Sequence, residues 1–197
     1  MRVIAIVDLG VGNLANVRKA LGGVITSDPY EIERAEKLVL PGVGNFGAVM
    51  ERLEPLRGVI LDAINDGKPF LGICLGLQLL FEGSEESPGK PGLGVFKGEV
   101  VRFQGVRTPH IGWNQLWKKK ECPLFEGIRD GAYFYFVHSY YAVPEEDIVA
   151  GVTDYESKGR RVLFTSAVCR ENVYAVQFHP EKSGRNGLRV MKNFRGL

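Results

Sequence analysis

The residues best suited to chemistry lie in Gly72-Ile73-Cys74-Leu75-Gly76. A buried strand pattern, Pro69 to Ile73, runs straight into a helix pattern, Leu75 to Glu82, with the cysteine at the corner. This is the arrangement of a nucleophile elbow, with sulfur in place of a hydroxyl. A nucleophile at so tight a turn sits in strained backbone, and its neighbours must lack side chains to avoid clashes. The corner also places Cys74 at a helix N-terminus. The positive end of the helix dipole there favours the thiolate, and the free N–H groups can hold an oxyanion. The N–H of Leu75 is the obvious donor. On the pentapeptide alone, a buried structural cysteine remains open.

A cysteine nucleophile needs a base to take its proton and return it to the leaving amine. His179-Pro180-Glu181, after the apolar run Tyr174 to Phe178, supplies an imidazole and a carboxylate two residues apart. At a strand end, residues with that spacing share a side, so Glu181 is placed to fix the tautomer of His179. By itself the tripeptide also fits a loop histidine followed by a surface glutamate. Pro41-Gly42-Val43-Gly44 ends another strand pattern. Active sites of open α/β sheets lie beyond the carboxyl ends of strands. A second oxyanion donor from this loop is expected, although the segment also reads as a plain tight turn.

The elements that must position these groups alternate in the first half of the chain. Val3 to Val7 reads as a strand, Asn13 to Leu21 as a helix with Leu14, Val17 and Leu21 on one face, and Leu38 to Leu40 as a second strand. Phe46 to Asp66 reads as a helix broken near Pro55. Such alternation implies parallel strands. The second half is strand-rich, with runs at 95–103, 112–117, 132–143, 148–153, 162–168 and 173–178, then a final helix over 187–194. The expectation is an α/β fold: one domain over residues 1–197, with an open mixed sheet, mainly parallel, flanked by helices and carrying antiparallel additions. The loop from Gly83 to Gly94 is too short to divide it.

The net charge of +2, with both signs mixed along the chain, gives no footprint for nucleic acid or an anionic membrane. No apolar run approaches the ~20 residues needed to cross a bilayer. Three scattered cysteines do not form a disulfide framework, and the cysteines and histidines lack metal-ligand spacing. A cytoplasmic chain with reduced thiols and no metal is expected. His110 and His138, read by themselves, are satisfied structural histidines, and Cys122 and Cys169 are structural.

Cys74 in Gly-Ile-Cys-Leu-Gly, followed by Gln78 and by His179-Pro180-Glu181 near the C-terminus, resembles the triad (class I) glutamine amidotransferases. Within them, further blocks are similar to the glutaminase subunits of imidazole glycerol phosphate synthases. These are residues 8–14, Pro41 to Gly44, Gln78 to Phe81, Ser84 to Glu86, Pro109-His110-Ile111-Gly112-Trp113-Asn114, Phe136 to Tyr141 and His179 to Ser183. The Pro109 to Asn114 block is the most specific. Leu9 and Leu77 depart from the usual tyrosine and methionine, and both changes are apolar. The resemblance implies a flavodoxin-like fold and hydrolysis of glutamine through a cysteinyl thioester, without a cofactor. Cys74 would be the nucleophile, His179 the acid–base, Glu181 its orienter, and the N–H groups of Val43 and Leu75 the oxyanion hole. Gly42, Gly44, Gln78, Glu86, Ser139 and Tyr140 would hold glutamine. Asn13, Asn16, Pro109, His110, Trp113 and Lys182 would face a (β/α)8-barrel cyclase partner that receives the ammonia.

Three alternatives stay distinguishable. A triad glutaminase of the anthranilate or pyridoxal phosphate pathway would lack the Pro109 to Asn114 block. A cysteine hydrolase of similar fold gives no reason for Gln78. A catalytically silent subunit would have lost its nucleophile or base.

Overall fold

The computed structural model describes residues 3–197. Its first half winds strand and helix alternately: β1 (Ile4–Val7), α1 (Leu14–Leu21), β2 (Val24–Thr26), α2 (Pro29–Arg34), β3 (Lys37–Gly42), α3 (Phe46–Leu53), α4 (Arg57–Asn65), β4 (Phe70–Cys74) and α5 (Leu75–Gln78). The helical run from Phe46 is interrupted near Pro55 as expected, by a 3₁₀ turn over Glu54–Leu56. Two elements of this half escaped the sequence reading, β2 and α2. The latter carries standard start signals, with Pro29 at its first turn and the Asp28 carboxylate accepting from the N–H of Tyr30 at 2.9 Å.

The second half supplies β5 (Gly83–Ser84), β6 (Gly98–Arg102), β7 (His110–Lys118), β8 (Ala132–His138), β9 (Tyr140–Pro144), β10 (Val149–Ser157), β11 (Arg160–Arg170), β12 (Val173–Val176) and α6 (Gly184–Gly196). The run expected as one strand over 132–143 is two strands, parted at Ser139. The helix after Cys74 is shorter than expected, and the last helix is longer.

The large sheet has the order β2-β1-β3-β4-β12-β11-β10-β7-β8. From β2 to β12 neighbours are parallel, and from β12 onward they are antiparallel. A smaller sheet, β5-β6-β9, stands beside it. β1, β3, β4 and β12 are buried on both faces, which is why they read as apolar runs, whereas β2 at the sheet edge is partly exposed. Alternation divides their side chains between two cores. Ala5, Val7, Leu38, Leu40 and Phe70 pack with α2, α3 and α4. Ile4, Ile6, Val39, Leu71 and Ile73 pack with α1 and α6 on the other face.

Candidate active site

β3, β4 and β12 run side by side in parallel, so their carboxyl ends emerge together. Gly42 stands opposite Cys74, and Val176 opposite Ile73. The chain turns from β4 into α5 at Cys74 itself, with φ 55° and ψ −108°. A side chain at positive φ is strained, and here the two flanking elements impose it. The glycines around it are required by space. A Cβ on Gly72 would meet the carbonyl oxygen of Gly76 at 2.7 Å, and one on Gly76 would overlap that of Leu40.

The Cys74 corner opens onto a cavity of about 270 Å³. Val43, Gly44, Leu75, Gln78, Glu86, Ser139 and Tyr140 line it together with Cys74, as do Val137 and His138. Of the residues expected around glutamine, only Gly42 is not in the lining; a Cβ added there would meet Leu75 Cβ at 3.2 Å. The Glu86 carboxylate accepts from the N–H of Phe46 at 2.7 Å, which ties the cavity wall to the start of α3. Gln78 is almost fully buried. Its Nε2 donates to the carbonyl of Tyr140 at 3.0 Å and to Gln177 Oε1 at 3.1 Å, so both amide protons are committed.

His179 and Glu181 meet through Nδ1 and Oε1 at 2.9 Å, with side chains only 4% and 2% exposed. The means differs from the expected strand alternation. β12 ends at Val176, and Pro180 begins a 3₁₀ turn that folds Glu181 back onto the ring. Among the described residues, His179 Nε2 makes no hydrogen bond of ordinary geometry, and neither does Glu181 Oε2. Burial pushes the His179 imidazole down, but hydrogen bonding and charge from Cys74, then from Glu181, outweigh it and lift it to about 10. An imidazole so poised holds a proton at neutral pH and can give it to a leaving amine.

The residues expected at a partner surface divide. Asn16, Pro109, Trp113 and Lys182 are exposed, and Asn13 is half-buried. His110 is a correction: it is 1% exposed and cannot touch a partner. Its ring sits behind the surface, with Nδ1 3.1 Å from His138 Nε2 and Nε2 2.8 Å from Asn114 Oδ1. His138 Nδ1 in turn donates to the Tyr140 carbonyl at 2.8 Å. The reading of both rings as satisfied structural histidines fits these contacts.

One site residue was missed altogether. Gln177, fully buried, donates from Nε2 to Cys74 Sγ at 3.7 Å. Its signal was available: an amide within the otherwise apolar run Tyr174 to Phe178.

Residues 8–195 match the glutamine amidotransferase class-I family. The chain belongs to that family. Among similar proteins, the imidazole glycerol phosphate synthase subunit HisH of Thermococcus kodakarensis is 86% identical over 99% of this chain and 100% of its own length. The subunit of the same name from Pyrococcus furiosus is 68% identical over 98% of each chain, and that of Aquifex aeolicus 50% identical over 96% of this chain and 94% of its own. Two solved structures share the amidotransferase architecture at low identity. One is a glutamine amidotransferase with a TM-score of 0.75 and 18% identity, covering 99% of this chain and 100% of its own. The other is PurLQS from Thermotoga maritima, with 0.72 and 20%, covering 98% of each. As in the expected class-I fold, this amidotransferase carries a mixed sheet flanked by helices.

Proposed function

We infer that this chain is the glutaminase subunit of an imidazole glycerol phosphate synthase, working as one amidotransferase domain over residues 1–197. It hydrolyses glutamine to glutamate and ammonia and passes the ammonia to a (β/α)8-barrel cyclase subunit in histidine biosynthesis, in the cytoplasm. The observation that carries the chemistry is Cys74, held on a strained corner that lines the cavity, with its sulfur within reach of the imidazole of the buried His179–Glu181 pair. The pathway rests on the names of the relatives and on the Pro109 to Asn114 block.

Glutamine binds in the cavity with its side-chain amide at Cys74. The sulfur attacks the amide carbon, and the oxyanion is held by the N–H groups of Val43 and Leu75. Removing one such donor lowers the rate by about 10²–10³-fold in comparable sites. His179 gives its Nε2 proton to the nitrogen as the C–N bond breaks, and ammonia leaves. Water then attacks the thioester with His179 as base, and the thiolate returns with glutamate. Glu181 keeps the ring oriented and balances its positive charge. Gln78, whose amide protons are both used within the chain, is left to meet glutamine through Oε1 as an acceptor. Glu86 and the backbone of Gly44, Ser139 and Tyr140 complete the binding set.

The experiment is glutamate release by the purified chain, alone and with the barrel cyclase and its nucleotide ligand. Cys74→Ala is expected to bring release to background while the circular dichroism stays native. Release by that variant at the wild-type rate removes Cys74 from the reaction. Vigorous release by the wild-type chain alone, indifferent to the cyclase, keeps the chemistry and overturns the pathway.

A further inference from the structure

Gln177 is unusual by residue type for its place. It lies between Val176 and Phe178, in a stretch where every residue is buried, and an apolar side chain would fill that space without needing partners. Both ends of its amide are used. Gln78 Nε2 donates to Oε1 at 3.1 Å, and Gln177 Nε2 donates to Cys74 Sγ at 3.7 Å.

The direction of this chain of bonds is set from its far end. Gln78 Nε2 also donates to the carbonyl oxygen of Tyr140 at 3.0 Å, and a carbonyl oxygen can only accept. Gln78 therefore turns its NH₂ toward Gln177. Gln177 must answer with its oxygen, which leaves its own NH₂ toward the sulfur. Besides Gln177 and the His179 imidazole, the sulfur meets the carbonyl oxygen of Val137 at 3.9 Å. A protonated thiol can donate to that oxygen, whereas a thiolate can only accept. The sulfur thus stands between an acceptor that favours the thiol and a donor that favours the thiolate.

We propose that Gln177 is a positioning residue for the nucleophile: its side-chain amide, oriented by Gln78, holds the Cys74 sulfur as the thiolate. This rests on the reading of Cys74 as nucleophile and deepens it. The bond is strongest when the sulfur is charged, before attack and again when the thioester releases it, and weak while the sulfur is acylated. The lifted His179 imidazole is the matching cation.

The test is the alkylation of Cys74 by iodoacetamide on the full chain, measured against pH and followed by peptide mass so that Cys122 and Cys169 do not contribute. Gln177→Met keeps similar length and volume and removes the donor. The expected result is an alkylation midpoint about one pH unit higher, or about tenfold less reactive sulfur below both midpoints, with native circular dichroism. A midpoint equal to that of the wild type overturns the proposal. If Gln177→Met does not fold, Gln78→Met frees the Gln177 amide to turn. The same upward move is expected from it, and an unchanged midpoint again overturns the proposal. Alkylation needs no glutamine. Failure of the glutaminase reading would appear as absent glutamate release with the midpoint still displaced.

Discussion

Gly72 and Gly76 flank Cys74 because the elbow helix presses against the ends of β3 and β4, and neither glycine has a positive φ. The obstacle to a side chain at Gly76 is the Leu40 carbonyl, a backbone group inside the sheet that cannot step aside. Gly76→Ala is therefore expected to destabilise by about 3 kcal/mol or more, lowering Tm by about 6–12 °C. Gly58 is the contrast. It is exposed and lies in α4, and a methyl group added there would meet no described atom within 4 Å, so Gly58→Ala should stabilise by about 0.5–1 kcal/mol. Thermal unfolding of the two variants checks both signs. At this scale the sequence was most legible where a tight space forces a pattern. Gly-x-Cys-x-Gly announced the elbow because few other residues fit it. Gln177 was not read: an amide in an apolar run marks a position that needs partners, but which partners it has is known only from its neighbours across the sheet.

At the scale of elements, the parallel half was read from alternating apolar runs and turn signals, and its buried strands lie where those runs are; β2, short and partly exposed, left no such run. A different error falls where one run serves two sheets. Phe136 and Ala142 are both buried, so residues 132–143 look like one strand, yet Ser139 is where the chain leaves β8 for β9. That crossing brings His138 and Tyr140 to the cavity, and no local pattern encodes it. The 3₁₀ turn at Pro180 is a similar case: the spacing of His179 and Glu181 was right for a meeting, but a turn makes it. The crossing also sets a pH response. His138 is pushed down to about 3, first by burial, against the hydrogen bond to Tyr140, with the charges of His110 and His179 adding to the fall. A histidine held neutral in the fold and free to protonate near 6.5 when unfolded binds fewer protons folded than unfolded between those values. Stability is then complete above about 6.5 and declines as pH falls toward 3. His179 acts with the opposite sign, its contribution being present below 6.5 and lost as pH rises through about 10. Melting curves at pH 7, 6 and 5 should show the acid decline. A His138→Gln variant should show a shallower one, and an equal slope in both proteins would remove His138 as the source.

At the scale of the molecule, two apolar cores sandwich a sheet whose antiparallel end is left partly bare. Alternation along β7 turns His110 and Leu116 inward and Ile111, Trp113 and Trp117 outward. Across the ladder, Trp113 stands opposite Tyr135, with ring centroids 6.0 Å apart, and the Lys182 ammonium lies 6.0 Å from the Tyr135 ring centroid. An exposed aromatic group edged by a cation is the composition of an interface hot spot. It lies close to the catalytic residues: Tyr135 takes the backbone N–H of His179 on its carbonyl at 2.9 Å and gives its own N–H to Ser183 Oγ at 2.9 Å. A partner docked there would press on β8, whose Tyr135 is hydrogen-bonded to the His179–Glu181 turn. Trp113 is 51% exposed, so Trp113→Ala should leave Tm nearly unchanged. In the proposed complex with a barrel cyclase, losing Trp113 as a hot-spot residue is expected to cost about 2 kcal/mol, or roughly 30-fold in Kd. Calorimetric titration of the cyclase into each protein measures that ratio. Cys74 alkylation in the free chains should be equal, since the ring touches none of the groups around the sulfur. An unchanged Kd would move the docking face off β7 and β8, whereas a weakened Kd with equal alkylation assigns Trp113 to docking alone.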